Sequence, residues 1–259
     1  MSFWDWIVKI ISEYWQSFLR GTGYTLVMAI TGTIAGFLIG LLIAIIKTIP
    51  VKKTDPMVKK GLFRVINAVL AAYVEIIRGT PMMVQALIIH YSLFVPLGIK
   101  ALPSAIIIIS VNTGAYMAEI VRGGIISVEK GQFEGAHALG MSHFKTMFYV
   151  ILPQAVRNIM PSIGNEFVVN IKDSSVLMVI SITELMFAAK QAGGAYAKFL
   201  PAYVICATIY FILTFTVTRL LRYAEKKMDG SDSYVVCGSQ SDFKSQIRVS
   251  GEEQQHVGD

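Results

Sequence analysis

Gly131-Gln132-Phe133-Glu134-Gly135-Ala136-His137-Ala138-Leu139-Gly140-Met141-Ser142 is a polar island with apolar sequence on both flanks, and Tyr149-Val150-Ile151-Leu152-Pro153-Gln154-Ala155 follows it. Glu134 to Leu139 suits a short helix, Gly140 can take the left-handed conformation that ends one, and Ser142 can cap the next. Together they make an exposed helical knob with a small-residue surface. Alone, the stretch fits two readings, a docking element for another protein or a loop that packs only on its own chain. The flanking sequence decides between them.

Of 259 residues, 54% are hydrophobic and 15% are charged, and the apolar residues cluster into runs long enough to cross a bilayer. The expectation is an all-α membrane protein. In a soluble protein a net charge of +6 would suggest nucleic acid, but here the basic residues flank the apolar runs and read as topology signals, so no nucleic-acid partner is expected. Cys206 lies in an apolar run and Cys237 in a polar tail, which argues against a disulfide, and neither has metal-ligand spacing. No GxxxxGK[ST] loop occurs, so any ATP that drives the protein binds another chain.

Outward from the island, about five spans emerge. Residues 1–20 place Trp4, Ile7, Ile11, Trp15 and Phe18 at helical spacing and read as an N-terminal interfacial helix; Asp5, Lys9 and Glu13 interrupt any signal-peptide core. Gly21 to Ile46 is the first span, and Gly32, Gly36 and Gly40 form a doubled GxxxG that admits a closely packed helix. Lys47, Lys52, Lys53, Lys59 and Lys60 mark the next loop as cytoplasmic, which puts the N-terminus outside. Leu62 to Val95 is too long for one straight span and breaks at Arg78-Gly79-Thr80-Pro81; Glu75 and Arg78 share a helix face and can pair. Ala101 to about Val121 is the third span. Asn158 to Ile171 and Ser174 to Thr183 are short apolar pieces joined by Lys172-Asp173, Gln191 to Lys198 reads as an outer loop, and Phe199 to Leu221 is the last span. Residues 21–222 thus form the transmembrane domain, with a cytoplasmic loop at 129–150. Residues 223–259 shift to Ser, Gly, Gln and charge and read as a disordered cytoplasmic tail.

A Glu with small residues, a Gly six positions on, then an apolar run closing in Leu-Pro resembles the EAA loop of ABC importer permeases, with Gly135 standing where that family most often has Ala. Glu75-Ile76-Ile77-Arg78-Gly79-Thr80-Pro81 with Gln85, Asn112-Thr113-Gly114-Ala115-Tyr116-Met117-Ala118-Glu119-Ile120-Val121-Arg122-Gly123-Gly124, and the stretches Gly164-Asn165-Glu166, Lys172-Asp173-Ser174-Ser175-Val176 and Thr183-Glu184-Leu185 resemble the polar amino-acid permeases among them. The resemblance runs from Thr22 to about Leu221 with its motifs in order, and it decides for the docking reading. It implies a type I permease fold in the cytoplasmic membrane and an importer for polar amino acids. The implied partners are two ABC ATPase subunits, an external amino-acid-binding protein and a second permease subunit, identical or not. On this resemblance Glu134, Gly135, Ala136, Gly140, Leu152 and Pro153 couple to the ATPase. No cofactor is expected on the chain itself.

No catalytic constellation is present. His90, His137, His143 and His256 lie in different environments, and no Ser/His/Asp or HExxH pattern occurs. A carboxylate in hydrocarbon costs several kcal/mol, roughly, unless it meets a partner or a wet cavity, which singles out Glu166 and Asp173. With Asn170 they fall at i, i+4 and i+7, on one face of a helix continued through the joint, and can line a substrate cavity. Asp173 can instead pair with a cation of a neighbouring helix or cap the piece beginning at Ser174. Two acids about 10 Å apart along a helix suit a long substrate cationic at both ends, which favours arginine or lysine over glutamine. A secondary transporter or channel driven by an ion gradient is the alternative; it predicts inverted repeats, and none is visible.

Overall fold

Ser2 and Asp5 close a capping box that starts α1 (Phe3–Thr48), and no proline interrupts the 46 residues that follow. At 1.5 Å per residue α1 is roughly 68 Å long, about twice a hydrocarbon layer. The structure, a computed structural model, describes residues 2–51 and 54–228; Lys52 and Lys53 of the basic loop, and the expected tail from residue 229 on, lie outside the described residues. After α1 come α2 (Met57–Gly79), α3 (Met82–Ile89) running into a π-helical turn (His90–Phe94), and α4 (Ala101–Ser127). The short α5 (Lys130–Ala138) and α6 (His143–Thr146) lead through a second π turn (Met147–Ile151) into α7 (Leu152–Asp173). A 3₁₀ segment (Ser174–Ile180), α8 (Leu185–Ala195) and α9 (Phe199–Met228) complete the chain.

Four expectations change. The break at residue 20 between an interfacial helix and a span is absent, because nothing between Phe3 and Thr48 stops a helix and Gly21 serves packing instead: a Cβ there would lie 2.9 Å from the Glu184 carbonyl carbon. The predicted stripe also splits, since Phe18 is buried with Ile10 against Ala188, Ala192 and Ala202, while Trp4, Ile11 and Trp15 face outward. Of the expected outer loop Gln191 to Lys198 only residues 196–198 form a turn; α8 continues to Ala195, and Gly193 within it is a close-approach glycine, whose Cβ would sit 3.0 Å from Phe199 Cα. Finally, α9 runs through residues 223–228, where Lys226 and Lys227 oppose the negative end of the helix dipole. Of the expected five spans, α1, α4 and α9 are long and apolar enough to cross a membrane alone, and the run from His143 to Ile180 makes a fourth with α8 across a 54° bend. The remaining expected span is divided into α2, which carries charge along its length, and the short apolar stretch Met82–Phe94.

The doubled GxxxG finds its partner in α4. A Cβ on Gly32 would lie 2.8 Å from the Ile109 side chain, on Gly36 2.7 Å from Thr113 Cβ, and on Gly40 2.5 Å from Met117 Cβ and 2.6 Å from the Ala118 nitrogen. Glycine alone lets the two backbones approach this closely, and dispersion over the whole seam takes the place of the hydrophobic effect that lipid does not supply. α7 lies across both helices, and α8 and α9 pack on one another and on α1. Met147, Ile151, Leu152, Ala155 and Ile159 seal one end of this bundle against Ala44, Val121 and Ile125.

The break between α2 and α3 falls at Thr80-Pro81, where the sequence placed it. Pro81 has no N–H for the Ile77 carbonyl, and Gln85 replaces it: its Nε2 donates to Ile77 O at 2.8 Å and lies 3.0 Å from Thr80 O. The Thr80 hydroxyl donates to Ile76 O at 2.7 Å, and Asn112 Nδ2 on α4 donates to Gln85 Oε1 at 3.0 Å. Glu75 and Arg78 form no ion pair; Arg78 lies over the Tyr116 ring instead, 5.5 Å from its centroid.

Two measurements follow. Gly40→Val should cost roughly 1–3 kcal/mol by overpacking, whereas Gly23→Ala, whose Cβ meets nothing within 4 Å, should stay within about 0.5 kcal/mol. Equal thermal unfolding of the two purified variants in detergent would contradict the seam. Gln85→Leu should cost about 1–3 kcal/mol by stranding buried polar groups, and adding Asn112→Leu should cost less than the sum of the single changes. Strict additivity in that cycle would remove the Gln85–Asn112 bond.

Candidate functional site

Two regions carry the candidate residues, the α5–α6 knob and the middle of α7. In the knob, α5 ends in a Schellman motif: Met141 N–H donates to Ala136 O at 3.1 Å and Gly140 N–H to His137 O at 2.9 Å, with Gly140 at φ +77°. Ser142 then caps α6, accepting from Lys145 N–H at 3.4 Å. Helix, left-handed glycine and serine cap stand where the sequence put them. Glu134, Gly135 and Gly140 are exposed, and Ala136 is buried at the base of the knob. Leu152 is buried while Pro153, in the first turn of α7, is exposed. Sequence reasoning passed over the apolar residues that the knob leaves uncovered: Leu139 is 84% exposed and Tyr149 76%, beside Phe144 and Phe148, whose rings lie 4.6 Å apart. An apolar residue inside a polar island was the available signal.

On α7 the helix does continue through Lys172-Asp173 and tightens into the 3₁₀ segment only at Ser174, so Glu166, Asn170 and Asp173 share one helix and one side. Their environments differ. Asn170, 3% exposed, donates through Nδ2 to Thr33 Oγ1 at 2.9 Å and accepts from the Thr113 hydroxyl at 2.9 Å. Rather than lining a cavity with the acids, it ties α7 to both α1 and α4. Glu166 and Asp173 are half-buried and close enough to interact electrostatically. Asp173 makes no cap bond to the segment after it, and neither acid forms an ion pair among the described residues. Neither structural alternative for Asp173 is thus seen among the described residues, and two half-buried carboxylates remain on α7.

A third acid went unassigned in the sequence. Glu184 is fully buried and caps α8, accepting from Met186 N–H at 2.8 Å, Phe187 N–H at 2.7 Å and the Tyr210 hydroxyl at 2.8 Å. It locks α8 to α9. Its position just before an apolar helical run was the cue, although Glu is not among the usual capping residues. The histidines stay apart, His137 and His143 on the knob and His90 in the first π turn, while His256 lies outside the described residues.

Comparison with known proteins bears on both regions. The family described as "Binding-protein-dependent transport system inner membrane component" matches residues 57–230. The glutamine transport system permease protein GlnP of Escherichia coli (strain K12) is 34% identical over 213 residues, covering 81% of this chain and 92% of that one. The L-cystine transport system permease protein TcyB of Bacillus subtilis (strain 168) is 35% identical over 87% of this chain and 91% of its own length. The arginine transport system permease protein ArtQ of the same strain is 32% identical over 83% and 93%. Among solved structures, an amino acid ABC transporter crystallised with histidines superposes at TM-score 0.74 and 35% identity, covering 88% of this chain and 99% of that one. The methionine ABC transporter MetNI in an inward-facing form gives 0.61 at 20% identity, which shows the shared type I permease fold. The match across residues 57–230 and relatives aligned over nearly their whole length establish that this chain belongs to the inner membrane components of binding-protein-dependent transport systems.

Proposed function

We propose that the chain is the transmembrane permease subunit of an ATP-driven importer for polar amino acids, with ATP bound and hydrolysed on separate subunits that dock on the α5–α6 knob. The observation that carries this reading is the knob itself. Its fold is fixed by its own caps, yet among the described residues Leu139 and Tyr149, and the Phe144 ring beside Phe148, stay largely exposed. On the topology read from the basic loop after α1, the knob stands in the cytoplasm with no lipid to cover those side chains. An ion-gradient transporter would leave them unexplained. The named functions of the relatives, glutamine, cystine and arginine transport, support an amino-acid substrate.

In this reading an external binding protein delivers the amino acid, and a second permease subunit, identical or not, completes the pathway. ATP-driven closure of the ATPases moves the knob, and because α7 follows directly through the π turn at Met147–Ile151, the movement reaches the helix that carries Glu166 and Asp173. Those two carboxylates hold the cationic groups of the substrate. Asn170 contributes by fixing the position of α7 against α1 and α4.

The test is reconstitution with the ATPase and binding-protein subunits. One amino acid should stimulate ATP hydrolysis and accumulate in the vesicles; uptake that persists without ATP and collapses with an ionophore would overturn the assignment. Gly140→Leu forces a branched residue into the left-handed region, at about 1–2 kcal/mol, and should lower ATP-driven uptake about ten-fold with membrane insertion intact. Gly135→Ala, with open space around it, should transport normally. Glu166→Gln should weaken arginine uptake about ten-fold while leaving glutamine uptake nearly unchanged, the loss expected for one charge-assisted hydrogen bond. An unaltered preference between the two amino acids would remove Glu166 from the site.

A further inference from the structure

An amino acid carries a carboxylate as well as an ammonium, and the two acids of α7 answer only its cationic groups. Lys172 stands beside them. Asp173 feels the charge of Lys172, and Glu166 that of Asp173, so the three form one electrostatic set with a carboxylate in excess. The uncharged donors on this stretch are committed elsewhere: Asn170 Nδ2 donates to Thr33 Oγ1, the Thr113 hydroxyl to Asn170 Oδ1 and the Ser174 hydroxyl to Ile171 O. Lys172 is exposed and, among the described residues, forms no ion pair. It is therefore the donor beside Asp173 that is available to a ligand.

Helical position sets Lys172 apart from the arginines of α9. At 3.6 residues per turn Gly164, which packs on Leu221 of α9, lies about 160° around α7 from Glu166 and about 180° from Asp173. The acids thus face away from α9. Lys172 falls between the two sides, about 100° from Asp173, and its ammonium rides on a flexible four-carbon stem that can turn toward the acids. Charge count points the same way. Two carboxylates and one ammonium are neutralised by a substrate with a single net positive charge, whereas glutamine would leave a half-buried negative charge uncompensated. We infer that Lys172 holds the α-carboxylate of the substrate, with Asp173 on its α-ammonium and Glu166 on its cationic side chain about 10 Å along the helix. This rests on the α7 site proposed above and adds its orientation, α-carbon outward and side chain toward the cytoplasm. Asn165 is the exposed neutral donor beside Glu166 and would seat a carboxylate the other way round. An ammonium is the stronger partner for a carboxylate.

The test measures binding of radiolabelled arginine and of agmatine, which is arginine without its carboxylate. It uses the purified complex of permease and ATPase subunits in detergent, without the external binding protein, whose own selectivity would intervene. Wild type should bind arginine about ten-fold more tightly than agmatine. Lys172→Gln should weaken arginine about ten-fold and leave agmatine unchanged or tighter, since its two positive charges then match two carboxylates. Unchanged agmatine binding also shows that the variant is folded. Lys172→Arg should restore arginine, and Asn165→Leu should keep the discrimination. Equal binding of the two compounds to wild type, equal losses of both in Lys172→Gln, or discrimination lost in Asn165→Leu instead would overturn the inference and leave the α7 site standing. A wild-type complex that does not bind arginine would remove that site and this inference with it.

Discussion

Backbone contact between α1 and α4 is the constraint on which the rest of the bundle depends. Three glycines one turn apart bring the helices so close that a single methyl at Gly40 would overlap Met117. With that seam set, Thr33 and Thr113 stand near enough for one amide, that of Asn170, to bridge both, and α7 takes its place from them. α8 is positioned in the same way, since Gly21 lets α1 touch the chain at Glu184 and Leu185.

Within a membrane every backbone polar group needs a partner from the protein, and at Pro81 and before α8 this chain supplies one from a side-chain amide and a carboxylate. Gln85 stands in for the N–H that Pro81 lacks, and Glu184 satisfies the first turn of α8 after the 54° bend. In each case a helix on another part of the chain holds the substitute in place, Asn112 of α4 for Gln85 and Tyr210 of α9 for Glu184. Glu166 and Asp173 stand outside this pattern, as carboxylates with neither a helix end to cap nor a cation in ion-pair contact among the described residues. That contrast separates a structural acid from one available to a ligand more sharply than membrane depth does.

Much of this was legible in the sequence where local chemistry sets the outcome. The Gly140 stop, the Ser142 cap and the break before Pro81 each follow from the backbone preferences of one residue, and each appears where those preferences put it. Legibility failed where a glycine has two meanings. Gly193 and Gly194 fall in the stretch read as an outer loop, yet Gly193 is a packing glycine inside α8, and only the position of Phe199 in space distinguishes the two. Periodicity likewise grouped Asn170 with Glu166 and Asp173, because a helical face says which residues look the same way and not what they look at. The partners that fill that view, Thr33 as acceptor and Thr113 as donor, lie far away in the chain.

The hydroxyls of α1 bear on how the protein is made. Thr31 donates to Val27 O, Thr33 to Ala29 O and Thr48 to Ile45 O, so each is satisfied within the helix that carries it. α1 leaves the ribosome before any residue of α4 exists, and these three hydroxyls need no partner from a later helix. Its glycine groove then awaits a partner, and when α7 is synthesised last of the three, Asn170 approaches the lone pair that Thr33 has kept free. Assembly can therefore proceed in the order of translation, since these hydroxyls of the helix made first do not wait on those made later.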